Sequence, residues 1–422
     1  MSVRLLPSYS AASSHIPEMG LPSESKPSVH SVPIINLSKL WIQSVEKNKV
    51  LEVWSTLSPW FAAHGYALYT QTSAWEAQPS GSPIYALSSR PVQFPYAFID
   101  SKEPKDRAFW PMIGLFPAVN SHQRDVIIKL LYNDSPEFAI FKSLAAEPMR
   151  SDPLNTTIPA LEILSYDDEI SFIVMPRWGD ISLWDGFDRL ETAVEFALSL
   201  IKALAFLHKN LIAHRDIKLD NILVNKYHSS EISPSLRSFF ASKKARFALC
   251  DFGLSVKFSP ETPPCARVCP ASESEWGYFE FHPPDAANGE SVYDPFAYDV
   301  ACLGGLLCKT IGYMTPLIPP LAPFLDRMIT PDISARYTAS EALEAFVQLM
   351  ESLDSEFLGK TRAPSPPEGS TYIWQAYDRW ANLPEEFVRE HFAKCPPVRP
   401  RRKVQLLDGT SYFVDWNNLT EF

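Results

Sequence analysis

Two short strings hold the side chains best suited to chemistry. In HRDIKLDNILV (214–224), the carboxylate of Asp216 is followed closely by the cation of Lys218 and the amide of Asn221. In ALCDFGLS (248–255), Asp251 ends a strand-like apolar run and precedes a glycine turn. A carboxylate can take the proton of an attacking hydroxyl, and a few residues on an amide oxygen can face a divalent cation. A hard cation such as Mg²⁺ accepts few carboxylates when phosphate oxygens and water complete its shell, so one Asp and one Asn suffice. Phosphoryl transfer needs that set of groups.

The surrounding sequence supplies elements able to position them. Upstream of the first string, Val194, Ala197, Leu198, Ile201, Leu204, Ala205 and His208 recur at helical spacing, and Asn210 is expected as a left-handed C-cap. Earlier still, DVIIKLL (125–131) and SFIVM (171–175) have the β-branched composition of strands. Between them a short helix is marked by Ser135 as N-cap, Pro136 at its first position and Glu137 in its first turn, with Pro148 closing it. Strands precede helices, which predicts an α+β fold of two lobes, a small β-rich one followed by a larger helical one.

The first string resembles the catalytic loop of eukaryotic-type protein kinases, and the second resembles their DFG element. A DFG triplet alone is more often a turn. Here both strings occur in order, with Asp285 in WGYFEFHPPD at the place of the family's APE acid, Asp299 in PFAYDVACLGG beneath the catalytic loop, and Arg336 as the expected partner of Asp285. The resemblance implies Asp216 as the catalytic base, Lys218 as the cation facing the transferred phosphoryl group, and Asn221 and Asp251 as ligands of Mg²⁺. Lys at position 218 resembles serine/threonine kinases, so the implied cofactors are ATP and Mg²⁺ and the implied partner is a protein bearing Ser or Thr.

In the amino-terminal lobe, Lys129 is placed like the lysine that grips the α- and β-phosphates, with Glu137 as its helix partner and Glu147 as competitor. Met175 is expected behind the adenine, with the backbone of Pro176–Trp178 along its edge. Arg215 is expected to bind a phosphate on the activation segment, where Thr262, Ser272 and Ser274 are candidates. The family's Gly-rich loop has no counterpart in 95–121, which contains only Gly114, and thirty residues separate Asn221 from Asp251. With MPRW (175–178) and DPFAYDVACLG, these departures resemble divergent fungal serine/threonine kinase-like proteins. Two other readings stay open. A pseudokinase would use the same fold as a binding module. A small-molecule kinase of the wider fold is opposed by the Arg of HRD and by DFG itself.

The 422 residues carry 49 acidic and 38 basic side chains, a net charge of -11 that disfavours non-specific binding to nucleic acid or an anionic membrane. Six cysteines do not form a dense paired framework, and the start of the chain has no secretory apolar run, so an intracellular place, cytoplasmic or nuclear, is expected. The four prolines between Thr310 and Leu325 exclude a spanning helix there. The expected organisation is a Ser/Pro-rich leader over 1–48, an accessory aromatic-rich segment over 49–92, a kinase domain over 93–355, and a tail over 356–422 with a linker and an Asp-Gly hairpin. Oligomeric state is not encoded in any feature found.

Overall fold

A computed structural model of the chain describes residues 47–73, 76–78, 94–98, 114–181, 187–226, 239–240, 242–276, 283, 286, 290–364, 378–392, 402–405 and 411–414. The small lobe is a five-stranded antiparallel sheet of β1 (Tyr66–Leu68), β2 (Leu115–Asn120), β3 (Asp125–Tyr132), β4 (Glu162–Ser165) and β5 (Ile170–Pro176), in the order β1-β2-β3-β5-β4. Its two faces follow from the period of two along each strand. Val126, Ile128 and Leu130 of β3 join Phe116, Phe172 and Val174 in a core covered by helix α1 (Lys47–Ala63). Lys129, of opposite parity, faces helix α2 (Pro136–Ala145) on the other side.

Aromatic packing fixes α1 on the sheet. Trp54 stacks on Phe116 with centroids 5.1 Å apart, and Phe61 meets Phe172 edge-on at 4.8 Å. Residues 49–92, expected as an accessory segment, thus contribute a helix and an edge strand to the same core as 114–176. Trp75, part of the aromatic density read from the sequence, lies outside the described residues.

The start of α2 is as the sequence predicts. Ser135 is the N-cap, its hydroxyl accepting the Phe138 N–H at 3.2 Å, Pro136 follows, and Glu137 stands in the first turn.

The large lobe is built on α3 (Leu190–Lys209), α4 (Pro295–Ile311), α5 (Leu321–Ile329) and α6 (Ala339–Glu351). A Cβ on Gly304 of α4 would come within 2.7 Å of Met328 and Ile329 of α5, so glycine is what lets these helices approach so closely. Short strands lie between the lobes and around the catalytic strings: β6 (Gly179–Asp180), β7 (Ile212–Ala213), β8 (Ile222–Val224), β9 (Phe247–Leu249), β10 (Val256–Lys257), β11 (Cys269–Pro270) and β12 (Val292–Tyr293).

The end of α3 corrects one expectation. Asn210 is not left-handed, having φ -96° and ψ 17°, and the positive φ of 59° falls on Leu211. The Asn210 side chain instead donates to the Phe206 carbonyl at 2.8 Å, alongside its own N–H at 3.2 Å, and the reversal falls one residue later.

The tail returns to the large lobe. Arg379 and Trp380 both reach the buried carboxylate of Asp326 on α5, the indole donating at 2.6 Å, and helix α7 (Glu385–Phe392) follows. The terminal hairpin pairs Arg402–Gln405 with Ser411–Val414, and its Asp-Gly turn lies outside the described residues. Among the described residues no helix is long and apolar enough to cross a membrane.

Candidate active site

The two strings meet because β8 and β9 pair, Ile222 opposite Leu249. The pairing carries past the strand ends, where Cys250 N–H donates to the Asn221 carbonyl at 2.9 Å, so Asn221 and Asp251 emerge side by side. Asp216 is tied to the same point: its Oδ2 accepts from Asn221 Nδ2 at 2.8 Å and from Lys218 Nζ at 2.7 Å. His214 closes the arrangement, its Nε2 lying 3.0 Å from the Cys250 carbonyl.

The catalytic loop is held from beneath by one buried carboxylate. Asp299, at the base of α4, accepts the His214 N–H at 2.6 Å and the Arg215 N–H at 2.7 Å, and His208 Nε2 lies 3.1 Å away. Arg215 has a left-handed φ of 68°, a conformation that costs a side-chain-bearing residue on the order of 1 kcal/mol and persists where the surroundings enforce it. Asp299 and the ties on the Arg215 side chain provide that enforcement.

The small lobe contributes from β3 and α2. Lys129 Nζ lies 2.6 Å from Glu137 Oε1 and 2.9 Å from Asp251 Oδ1, joining strand, helix and the second string in one ion-paired chain. Glu137 Oε1 also accepts the Phe252 N–H at 3.2 Å. The Phe252 ring is fully buried, 5.3 Å from Phe141 of α2 and 5.5 Å from His214, which packs the helix, the second string and the catalytic loop together. Glu147, the competing partner for Lys129, is exposed and bonded to Ser151.

Electrostatics follow the geometry. Burial works to lower the Lys129 pKa, but Asp251 and Glu137 outweigh it and hold the ammonium above its ordinary value. Burial lifts the Glu137 carboxyl above its ordinary value, against the pull of Lys129. At Asp251 burial opposes ionisation, yet Lys129 prevails and holds the carboxyl below the usual range. Asp251 is therefore held in its ionised form at neutral pH, with its side chain 47% exposed.

This donor set fits a divalent cation of the magnesium type. Asn221 uses its amide nitrogen on Asp216, which leaves the amide oxygen for a metal, and Asp251 adds one ionised carboxylate. An ion of this type takes its other ligands from phosphates and water.

The structure thus brings together Asp216, Lys218, Asn221, Asp251, Lys129 and Glu137. Met175 is buried at the end of β5 opposite Ile127. The Trp178 ring is buried too and its Nε1 donates to the Pro95 carbonyl at 2.7 Å, so any contact to a nucleotide falls to its backbone. Arg177 N–H is already used by the Asp125 carbonyl at 3.2 Å, which removes one donor from the expected adenine edge.

Arg215 corrects another expectation. It is not open to a phosphate, because its guanidinium contacts Glu273 at 2.7 Å and Tyr293 at 2.9 Å. Ser274 is only 3% exposed and donates to the Ala271 carbonyl, whereas Ser272 is exposed. Asp285 lies outside the described residues, and Arg336 donates to the carbonyls of Thr330 and Ala297.

The loop expected to carry glycines connects β1 to β2. That connection spans residues 69–114 and contains an antiparallel pair of short strands, Thr70–Ser73 with Glu76–Gln78; 74–75, 79–93 and 99–113 lie outside the described residues.

Sequence reasoning missed the partners that hold this site from a distance. Glu273 and Tyr293 on Arg215, and Tyr69 on Arg177 at 2.8 Å, carry no local spacing signal. The aromatic clasp on Phe252 was half legible, since His214 belongs to the first string and Phe141 stands one helical turn after Glu137.

A family model described as protein kinase domain matches residues 182–319, most of the large lobe including both strings. Over residues 182–319 the chain is of the protein kinase type. It is 30% identical over 196 residues to Serine/threonine-protein kinase PRR1 of Saccharomyces cerevisiae, covering 46% of this chain and 34% of that one. It is 43% identical over 72 residues to Dual serine/threonine and tyrosine protein kinase of Xenopus laevis, covering 17% of this chain and 8% of that one. It is 35% identical over 71 residues to Serine/threonine-protein kinase ppk25 of Schizosaccharomyces pombe, covering 17% and 13%. The chain therefore spans about a third or less of the length of these relatives. The family model begins beyond the small lobe and does not cover Lys129 and Glu137, which the ion pair brings together.

Proposed function

We propose that this kinase transfers the γ-phosphate of ATP to a serine or threonine hydroxyl of a protein, with Mg²⁺ as the metal. The observation that carries the reading is the ion-paired chain Glu137–Lys129–Asp251, which links both lobes at the point where Asp216 and Asn221 emerge. When bound, ATP would supply the phosphoryl group and Mg²⁺ the positive charge that offsets the charge of its phosphates. Lys129, protonated and released in part from Asp251, grips the α- and β-phosphates. Asn221 Oδ1 and the Asp251 carboxylate would hold the metal.

Asp216 orients the acceptor hydroxyl and takes its proton as the oxygen bonds to phosphorus and ADP departs with the electron pair of the broken bond. Lys218, already beside Asp216, faces the charge on the moving phosphoryl group. Lys at position 218 and the two fungal relatives named as serine/threonine kinases support Ser and Thr as acceptors.

One observation favours a second reading, a binding module with little turnover. The β1–β2 connection is long, and its sequence has only Gly81 and Gly114 where close approach to phosphates asks for several glycines. Incubating the chain with γ-labelled Mg-ATP and a generic acceptor protein, then identifying the labelled amino acid, separates the two. Label on Ser or Thr is expected. A rise in melting temperature with Mg-ATP but no label would favour the binding module. Label on Tyr alone would overturn the Ser/Thr assignment.

A further inference from the structure

Protein kinases commonly order the segment after DFG by adding a phosphate that pairs with an arginine. In this chain the arginine next to the catalytic base already has an acid. Arg215 Nη2 donates to Glu273 Oε2 at 2.7 Å and to the Glu273 carbonyl at 3.4 Å, while Nε donates to the Tyr293 hydroxyl at 2.9 Å. The Arg215 side chain is 8% exposed and that of Glu273 25%, so the cation is sheltered while its acid is half-buried, and solvent screens the pair less than one on the open surface.

Glu273 is itself held in place. It lies in the tight helical turn Ala271–Trp276, which follows β11 directly, and β11 pairs with β12 so that Cys269 faces Tyr293. The Tyr298 hydroxyl of α4 bonds to the Ser274 carbonyl at 3.2 Å, and the Tyr293 and Tyr298 rings meet at 5.1 Å. The segment is thus fastened on both sides of the ion pair. Ser274, next in the chain, points inward to the Ala271 carbonyl at 2.7 Å and offers no hydroxyl to a modifying enzyme.

We infer that Glu273 is a positioning residue: its encoded negative charge anchors Arg215, and through it the backbone of Asp216, in the place where a phosphate on the activation segment would act. Resting on the kinase reading above, this makes the enzyme competent without modification of residues 256–276. Arg215 shares its backbone amide with Asp299 and is the direct neighbour of Asp216, so loosening the guanidinium releases the left-handed turn that aims the base.

The test uses the full chain, produced with a phosphatase and shown by mass spectrometry to carry no phosphate. Amide exchange over 256–276 is compared for the parent, Glu273→Ala, Glu273→Asp, Arg215→Ala and the double alanine variant. The parent is expected to be protected, both single alanine variants to exchange at least about tenfold faster there, and the double variant to add nothing further. Glu273→Asp should retain most of the protection. In transfer assays the unphosphorylated parent should be as active as the same protein after preincubation with ATP. Glu273→Ala should lose about tenfold in kcat while its KM for Mg-ATP stays within about threefold, a split that general destabilisation would not give.

Exchange in Glu273→Ala equal to the parent would overturn the inference, as would activity that appears only once 256–276 is phosphorylated. The expected exchange pattern with no transfer by any form would support the ordering role of Glu273 and count against the phosphotransfer reading.

Discussion

Lys129 Nζ stands 2.9 Å from Asp251 Oδ1, a residue 122 positions further along the chain, and this contact joins the small lobe to the DFG element. The same ammonium holds Glu137 of α2 at 2.6 Å, so one cation ties strand, helix and DFG element together. Removing it should disturb nucleotide and metal at once. Lys129→Met is expected to lower phosphate transfer by about two to three orders of magnitude, the scale of losing one preorganised charge in a sheltered site. Circular dichroism and the melting temperature should show it folded, and transfer at the parent's rate would remove Lys129 from the site.

Acid should inactivate the protein before it unfolds it. Glu137 has its folded pKa raised by burial, so its protonation begins above the ordinary glutamate range and breaks the pair with Lys129. The sign for stability is the reverse of that for activity: a raised folded pKa favours the folded state below the unfolded value, and that contribution is lost as pH rises through the folded one. Asp251, whose pKa is depressed by Lys129 against the opposing effect of burial, stabilises the fold above its ordinary value and loses this only as pH falls through the depressed one. Lys129, raised by Asp251 and Glu137, keeps its contribution across the whole acid range. Activity should therefore fall with acidification at a pH where the far-ultraviolet spectrum is unchanged, and Glu137→Gln, slower throughout, should lack that limb. Coincident loss of activity and structure in the parent would contradict this assignment.

What the sequence made legible was local. The two strings carry Asp216, Lys218, Asn221 and Asp251 within a few residues of strand-like runs, and the chemistry itself demands such proximity. The α2 start was legible for the same reason, since Ser135 caps an amide three residues away. The face of β3 was not, because DVIIKLLY is apolar on both sides and its alternation is hidden. Nor were Glu273 and Tyr293, which reach Arg215 from 58 and 78 residues away with side chains common at any surface. Tyr66–Leu68 went unread as part of the sheet because 46 residues separate it from β2, and pairing across such a gap leaves no pattern in the chain.

The tail is expected to be part of the folded unit. Asp326 is fully buried on α5 and is met by Arg379, 3% exposed, and by the Trp380 indole. Arg379→Ala would leave that carboxylate buried without its cation, at a cost of about 3–5 kcal/mol. Its melting temperature should drop clearly. Pairing it with Asp326→Asn should recover part of the loss, whereas an unchanged melting curve for Arg379→Ala would show that the tail adds nothing to the fold.

At the junction of the lobes, the Tyr69 hydroxyl donates to Asp125 Oδ1 at 2.6 Å and accepts from Arg177 Nη1 at 2.8 Å, with all three residues buried. Tyr69→Phe removes both bonds and should cost about 1–3 kcal/mol, the range for leaving buried polar groups short of a partner. Because Arg177 lies between Met175 and Trp178, the KM for ATP should rise more than kcat falls. A change in kcat alone would separate Tyr69 from the nucleotide side of the cleft.

The central claim is that Asp216 acts on the acceptor hydroxyl while Asn221, Asp251 and Lys129 hold Mg-ATP. It is tested most directly by measuring Mg-ATP affinity and γ-phosphate transfer side by side for the parent and Asp216→Asn. The account predicts affinity within about threefold of the parent and transfer lower by at least about two orders of magnitude, the contribution of a positioned base. Transfer by Asp216→Asn at the parent's rate would contradict it.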